Sequence, residues 1–175
     1  FVVYDNVEST EPEFLKRWLL HSALSPHIEG SRFVIERPAA TKGADTGRLE
    51  GDVLLPRDAQ LVNIGGPGFE FFIDGRNFDE NGSLAANIAR GPAELDPGAW
   101  RLEVTPSLPA RSDRFLVVMR PVLGDAPPVR TQASEDESSV VARVSLPGRD
   151  IALRIPHEQL AVELTLTTSA GKRTH

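Results

Sequence analysis

Trp100-Arg101-Leu102-Glu103-Val104-Thr105 alternates strictly between large apolar and polar side chains. In an extended chain successive side chains point to opposite faces, so Trp100, Leu102 and Val104 share one face. Arg101, Glu103 and Thr105 share the other. A helix would scatter the same residues around its circumference. The stretch therefore reads as a strand with one face toward a core. Pro106 and Pro109 end it, because proline fixes φ and removes a ladder donor.

Working outward, residues 115–119 (Phe-Leu-Val-Val-Met) form a continuous apolar run, the pattern of a central strand. Residues 1–7, 14–22, 32–36, 48–55, 60–64 and 69–74 read as further strands, the last strongly aromatic. A short polar turn around Pro12 suggests that the first two form a hairpin. Ser25-Pro26-His27 with Glu29-Gly30, and residues 41–47, read as turn and loop. Residues 77–97 are the least regular by composition, with one short helical turn expected around 84–90. After Pro121 the composition changes. Pro127-Pro128 and the acidic run Glu135-Asp136-Glu137 mark residues 122–139 as a solvated connection. Residues 140–146, 150–155 and 160–167 alternate again, and 169–175 form a polar tail expected to fray. About eleven strands and no long helix predict an all-β fold, an antiparallel β-sandwich. Residues 1–121 make its main body. Residues 140–168 either close the same sandwich or form a small β-domain of their own.

The bulk numbers fit that class. A chain of 175 residues with 40% hydrophobic and 25% charged residues holds one real core. Fourteen glycines and fourteen prolines make it turn-rich, as short strands require. There is no cysteine, so disulfides and thiolate chemistry are excluded. A net charge of −6 argues against binding nucleic acid through a basic face. No apolar run approaches the ~20 residues of a membrane-spanning helix. The opening Phe1-Val2-Val3-Tyr4-Asp5 reads as a strand already under way, the pattern expected of a piece of a longer polypeptide.

Several residue groups are candidates for chemistry. Lys16-Arg17-Trp18-Leu19-Leu20-His21 is a dense run ending on a histidine, which is a packed polar cap, a metal ligand or a general base. His27 follows six residues on, but a zinc site needs at least three protein ligands. Gly65-Gly66-Pro67-Gly68 lacks a phosphate-loop pattern and a following helix, so it reads as a tight turn. Trp100 with Arg101 offers a sugar platform and a carboxylate contact, although the phase of Trp100 with Leu102 and Val104 points to the core. Arg111, Arg114 and Arg120, with Lys16 and Arg17, are either solvated cations or polyanion contacts. Asn81-Gly82-Ser83 matches a glycosylation pattern that matters only in a eukaryotic secretory setting. No complete catalytic set assembles from these residues, so none in this chain is assigned as catalytic.

Six short segments in order add a family resemblance. Phe1-Val2-Val3-Tyr4-Asp5-Asn6-Val7 is similar to an early strand of the heparinase II/III-like polysaccharide lyases, and Lys16–Ser22 resembles the strand that follows it there. Gly51–Pro56 resembles their Leu-Leu-Pro segment, and Gly65–Phe71 their Gly-Gly-x-Gly-x-Glu-Phe turn. Pro97–Pro106 and Ser112–Met119 resemble two later strands. The resemblance covers about residues 1–121 and, more loosely, 140–168. It implies the C-terminal β-sandwich region of an enzyme that cleaves uronate-containing acidic polysaccharide by β-elimination. It further implies an (α/α) toroid and catalytic residues upstream, and a periplasmic or secreted bacterial protein. Tyr4 falls on a strand position and receives no catalytic role. In zinc-containing members a histidine closing this strand is a metal ligand, which implies that role for His21 with its partner ligands upstream. The alternative reading is a stand-alone β-sandwich module that contacts carbohydrate or braces another domain.

Overall fold

The computed structural model describes residues 1–78, 82, 98–158, 161–168 and 171–174. The described residues are all-β, with antiparallel pairing throughout and no helix. They divide into two compact units, Phe1–Gly124 and Asp125–His175.

The first unit contains β1 (Val2–Glu8), β2 (Trp18–Ser22), β3 (His27–Glu29), β4 (Arg32–Arg37), β5 (Gly47–Leu55), β6 (Gln60–Gly65), β7 (Phe72–Ile73), β8 (Arg76–Asn77), β9 (Trp100–Thr105) and β10 (Ser112–Leu123). One sheet has the order β1-β10-β5-β4-β3, a second β2-β9-β6, and β7-β8 is a two-stranded ribbon. The core lies between the two larger sheets. Phe33, Val53, Phe115 and Val117 come from the first, Leu102 and Val104 from the second, and all six are buried. Trp18, Leu20 and Leu61 pack against them from β2 and β6. This is a β-sandwich, and β9 is its middle strand on the smaller sheet, as the alternation of 100–105 requires.

Backbone detail follows local chemistry. The Phe33 ring packs onto Gly51, where any Cβ would collide with it. Asp74 and Gly75 both have positive φ, the geometry of a two-residue turn between paired Ile73 and Arg76. Pro121 sits inside β10 rather than ending it. Residue sides alternate along a strand, and the Met119 amide donates to Phe1 O on the β1 side. The Pro121 nitrogen faces that same side two residues on, beyond the last β1 pairing, so no ladder bond is lost.

The second unit is a five-stranded meander of β11 (Arg130–Glu135), β12 (Ser139–Leu146), β13 (Arg149–Pro156), β14 (Glu163–Thr168) and β15 (Gly171–Thr174), in sequence order.

Several expectations change. The 1–7 and 14–22 segments do not form a hairpin: β1 pairs with β10 and β2 with β9, in different sheets. Sheet partners roughly eighty to more than a hundred residues away outcompete the local turn because both faces of the sandwich must be filled. Residues 14–17 are not strand, since Lys16 folds back to a buried position against the β9–β10 link. Residues 69–74 yield only the short β7, because Gly66 and Gly68 at positive φ curl the chain and Phe69 N bonds back to Gly66 O at 2.8 Å. The 25–30 turn contains β3, the 122–139 connection contains β11, whose residues pair with β12, and the 169–175 tail expected to fray contains β15, paired with β14. The expected helical turn at 84–90, and Asn81 and Ser83 of the glycosylation pattern, lie outside the described residues.

Candidate functional site

The polar face of β9 is the outer face of the smaller sheet, and its chemistry is unusual for a solvated surface. Glu103 is only 8% exposed there. Its carboxylate takes Arg101 Nε at 2.8 Å and Nη2 at 2.7 Å on one oxygen, and Arg17 Nε lies 3.4 Å from the other. Burying this acid without a partner would be costly, and two guanidinium groups remove that cost. Arg101 also donates from Nη2 to Phe72 O at 2.7 Å. One guanidinium therefore ties the sheet to the loop that follows β6.

His21 is the direct cross-strand neighbour of Arg101, and Ser22 that of Trp100. His21 is exposed, with Leu19 on the same face of β2 also exposed. His27 lies on β3 of the other sheet. The two histidines are thus on different sheets, and among the described residues there is no cluster of three metal-ligating side chains. His21 by itself does not make a zinc site, which requires three or more ligands.

The loop from Gly65 to Asn77 is fixed at several points. Gly65 and Gly66 have positive φ and run against Ala99 and Trp100, whose ring and backbone leave no room for a side chain. Gly66 N bonds to Ala99 O at 2.9 Å, and Phe71 N to Asn77 Oδ1 at 2.9 Å. Phe69 and Phe72 form a tilted ring pair with centroids 5.1 Å apart. Phe69 remains half exposed and Ile73 nearly so. Trp100, by contrast, is partly covered by the Gly65-Gly66 turn and in phase with the core, and Arg101 is committed to Glu103 and Phe72. The pair does not form an open sugar platform.

The candidate cations are dispersed. Lys16 is buried, with Asp113 at 3.1 Å, Ser9 Oγ at 3.2 Å and the Phe14 and Ala110 carbonyls around its ammonium. Arg120 and Arg48 both bind Glu50, with Arg120 Nη2 at 2.5 Å and Arg48 Nε at 2.8 Å. Partial burial pushes the Glu50 carboxyl up, but the hydrogen bonds and charges of the two arginines outweigh it and hold Glu50 below its usual range. Arg111 lies 4.0 Å from Glu11. These groups are not gathered into one basic surface. Sequence patterning did not reveal the buried state of Lys16 or Glu103, because Ala110 and Asp113, which hold Lys16, and Arg17, which joins Arg101 on Glu103, lie far from them along the chain. The only local signal was the spacing of Arg101 and Glu103 on one strand face.

No known protein-family model matches the chain, and a search of curated proteins finds no significant match. Among the described residues no helix is long and apolar enough to cross a membrane.

Proposed function

We propose that this chain is the β-sandwich portion of a polysaccharide lyase of the heparinase II/III-like kind, which cleaves uronate-containing acidic polysaccharide by β-elimination. One observation carries the reading: the six resembling segments occur in order, and they fall on β1, β2, β5, the β6–β7 loop, β9 and β10 of a single sandwich unit. In β-elimination a base removes the proton α to the uronate carboxyl while a cation or acid neutralises that carboxylate, and the glycosidic oxygen leaves. The reading assigns those groups to a helical toroid and β-strands upstream in the same polypeptide, and takes the whole protein to be periplasmic or secreted in a bacterium. The sandwich supports them and contributes His21 from its outer face. Zinc in the whole protein would need further ligands beside His21, and no step depends on it.

The test measures the absorbance of newly formed unsaturated uronate. A longer polypeptide that includes the upstream region is expected to produce it from alginate or heparan sulfate, and residues 1–175 alone are not. Activity from the 175-residue chain would overturn the assignment of catalysis to another region. Inactivity of the longer polypeptide on a panel of uronate polymers would favour the stand-alone carbohydrate-binding or bracing module instead. Zinc content of the longer polypeptide, unchanged by His21→Ala, would remove the ligand role of His21.

A further inference from the structure

We propose that Asp74-Gly75 is a site of self-modification, where the chain closes to a succinimide and reopens as isoaspartate, and that this change releases the Gly65–Asn77 loop. The inference does not depend on the lyase reading. Asp74-Gly75 is the only Asp-Gly pair in the sequence. Both residues are exposed, at the tip of the β7–β8 ribbon. Among the described residues Asp74 is the one non-glycine residue at positive φ, with 48° against 78° for Gly75. Two positive values in a two-residue hairpin make this a type I′ turn, which Asp-Gly favours.

The reaction joins the Gly75 nitrogen to Asp74 Cγ. The amide proton passes to solvent and one carboxyl oxygen leaves, for a net loss of one water. Gly75 has no Cβ to obstruct the approach. The five-membered imide is nearly planar, which fixes Asp74 ψ and leaves its φ free. With ψ at about −120° and φ at about +60°, the residue has the dihedrals of the first central position of a type II′ turn. Asp74 already has φ in that region. Rotation of one peptide therefore takes the turn from I′ to II′, with Gly75 moving to negative φ, which glycine adopts as readily. Both turns close the same two-residue hairpin, so the ring forms without melting the ribbon. Water then opens the imide. Attack at the main-chain carbonyl breaks its C–N bond and leaves the chain running through Cβ and Cγ, one atom longer. The lengthened turn no longer matches the pairing of Ile73 with Arg76, and only one further pair, Phe72 with Asn77, holds the ribbon. The adjoining bonds, Phe71 N to Asn77 Oδ1 and Arg101 Nη2 to Phe72 O, are then left to hold the loop without it.

The experiment ages the 175-residue chain in warm neutral buffer made with heavy-oxygen water. Cleavage after Arg57 and Arg76 isolates a peptide whose only aspartates are Asp74 and Asp58, which is also exposed. Each passage through the imide adds one heavy oxygen, about 2 Da. Electron-transfer fragmentation assigns the residue and distinguishes isoaspartate from aspartate. The expected result is label and isoaspartate at Asp74 several-fold faster than at Asp58. Label at Asp74 no faster than at Asp58 overturns the site. The rate in the folded chain is expected within about tenfold of that in guanidinium, and a slower one shows that the ribbon must open first and overturns the preset turn. Amide exchange in residues 71–77 is expected to rise in the aged wild type and not in Asp74→Gly aged in parallel. That variant keeps a type I′ turn, as Gly-Gly, and undergoes every other ageing change. Equal exchange in the two aged chains overturns the release of the loop.

Discussion

Gly51 and Glu103 show how single residues are held by partners invisible in the local sequence. Phe33 from β4 occupies the space above Gly51, so Gly51→Ala must displace a buried ring. Overpacking of this kind costs about 1–3 kcal/mol, and urea unfolding of the variant is expected to show a lower midpoint with unchanged slope. Glu103→Gln leaves Arg101 without its carboxylate on a largely buried site. A loss of about 1–3 kcal/mol is expected by the same measurement. Arg101 then loses the ion pair that fixes it under the Phe72 carbonyl, so amide exchange in residues 66–77 should rise more than in β5.

At the scale of an element, the β11–β12 turn is capped by one carboxylate. Asp136 Oδ1 accepts from Ser138 N and Oγ and from Ser139 N, each at 2.8 Å, and from Ser139 Oγ at 3.2 Å. The hydrogen bonds from Ser138 come first among the causes that lower its pKa from 3.8 to about 2, with those from Ser139 adding to them. The folded state thus binds this proton more weakly than the unfolded chain. Its contribution to stability is complete above pH 3.8 and is lost as pH falls toward 2. Thermal melts of Asp136→Asn are expected to depend less on pH across that window than those of the wild type. Glu50 acts in the same sense, being held low by Arg120 and Arg48, so its contribution also fades on acidification.

For the molecule as a whole, the two units differ in how far the chain must travel to make its contacts. The second is a meander in which every strand pairs with its neighbour in sequence. The first pairs β1 with β10 and β2 with β9, so its sheets close loops of roughly eighty to more than a hundred residues. Local pairing forms faster than distant pairing. Pulse-labelled hydrogen exchange during refolding is expected to protect β12 and β13 before β1 and β10. Protection of β1 and β10 first would contradict this.

Much of this was legible in the sequence, and the limits have a physical cause. The period of two in 100–105, the apolar run at 115–119 and the Gly-rich turn at 65–68 depend only on the chain's own stereochemistry. They determined an all-β sandwich with Leu102 and Val104 in its core. Which strands pair, that Lys16 and Glu103 are buried, and that Phe69 rather than Trp100 presents an open aromatic face were decided by tertiary structure. Each rests on a contact between residues that periodicity cannot relate: Ala110 to Lys16, Arg17 to Glu103, Gly66 to Trp100. A pattern along one strand specifies which way side chains point, whereas only packing against distant segments decides which of them remain in water.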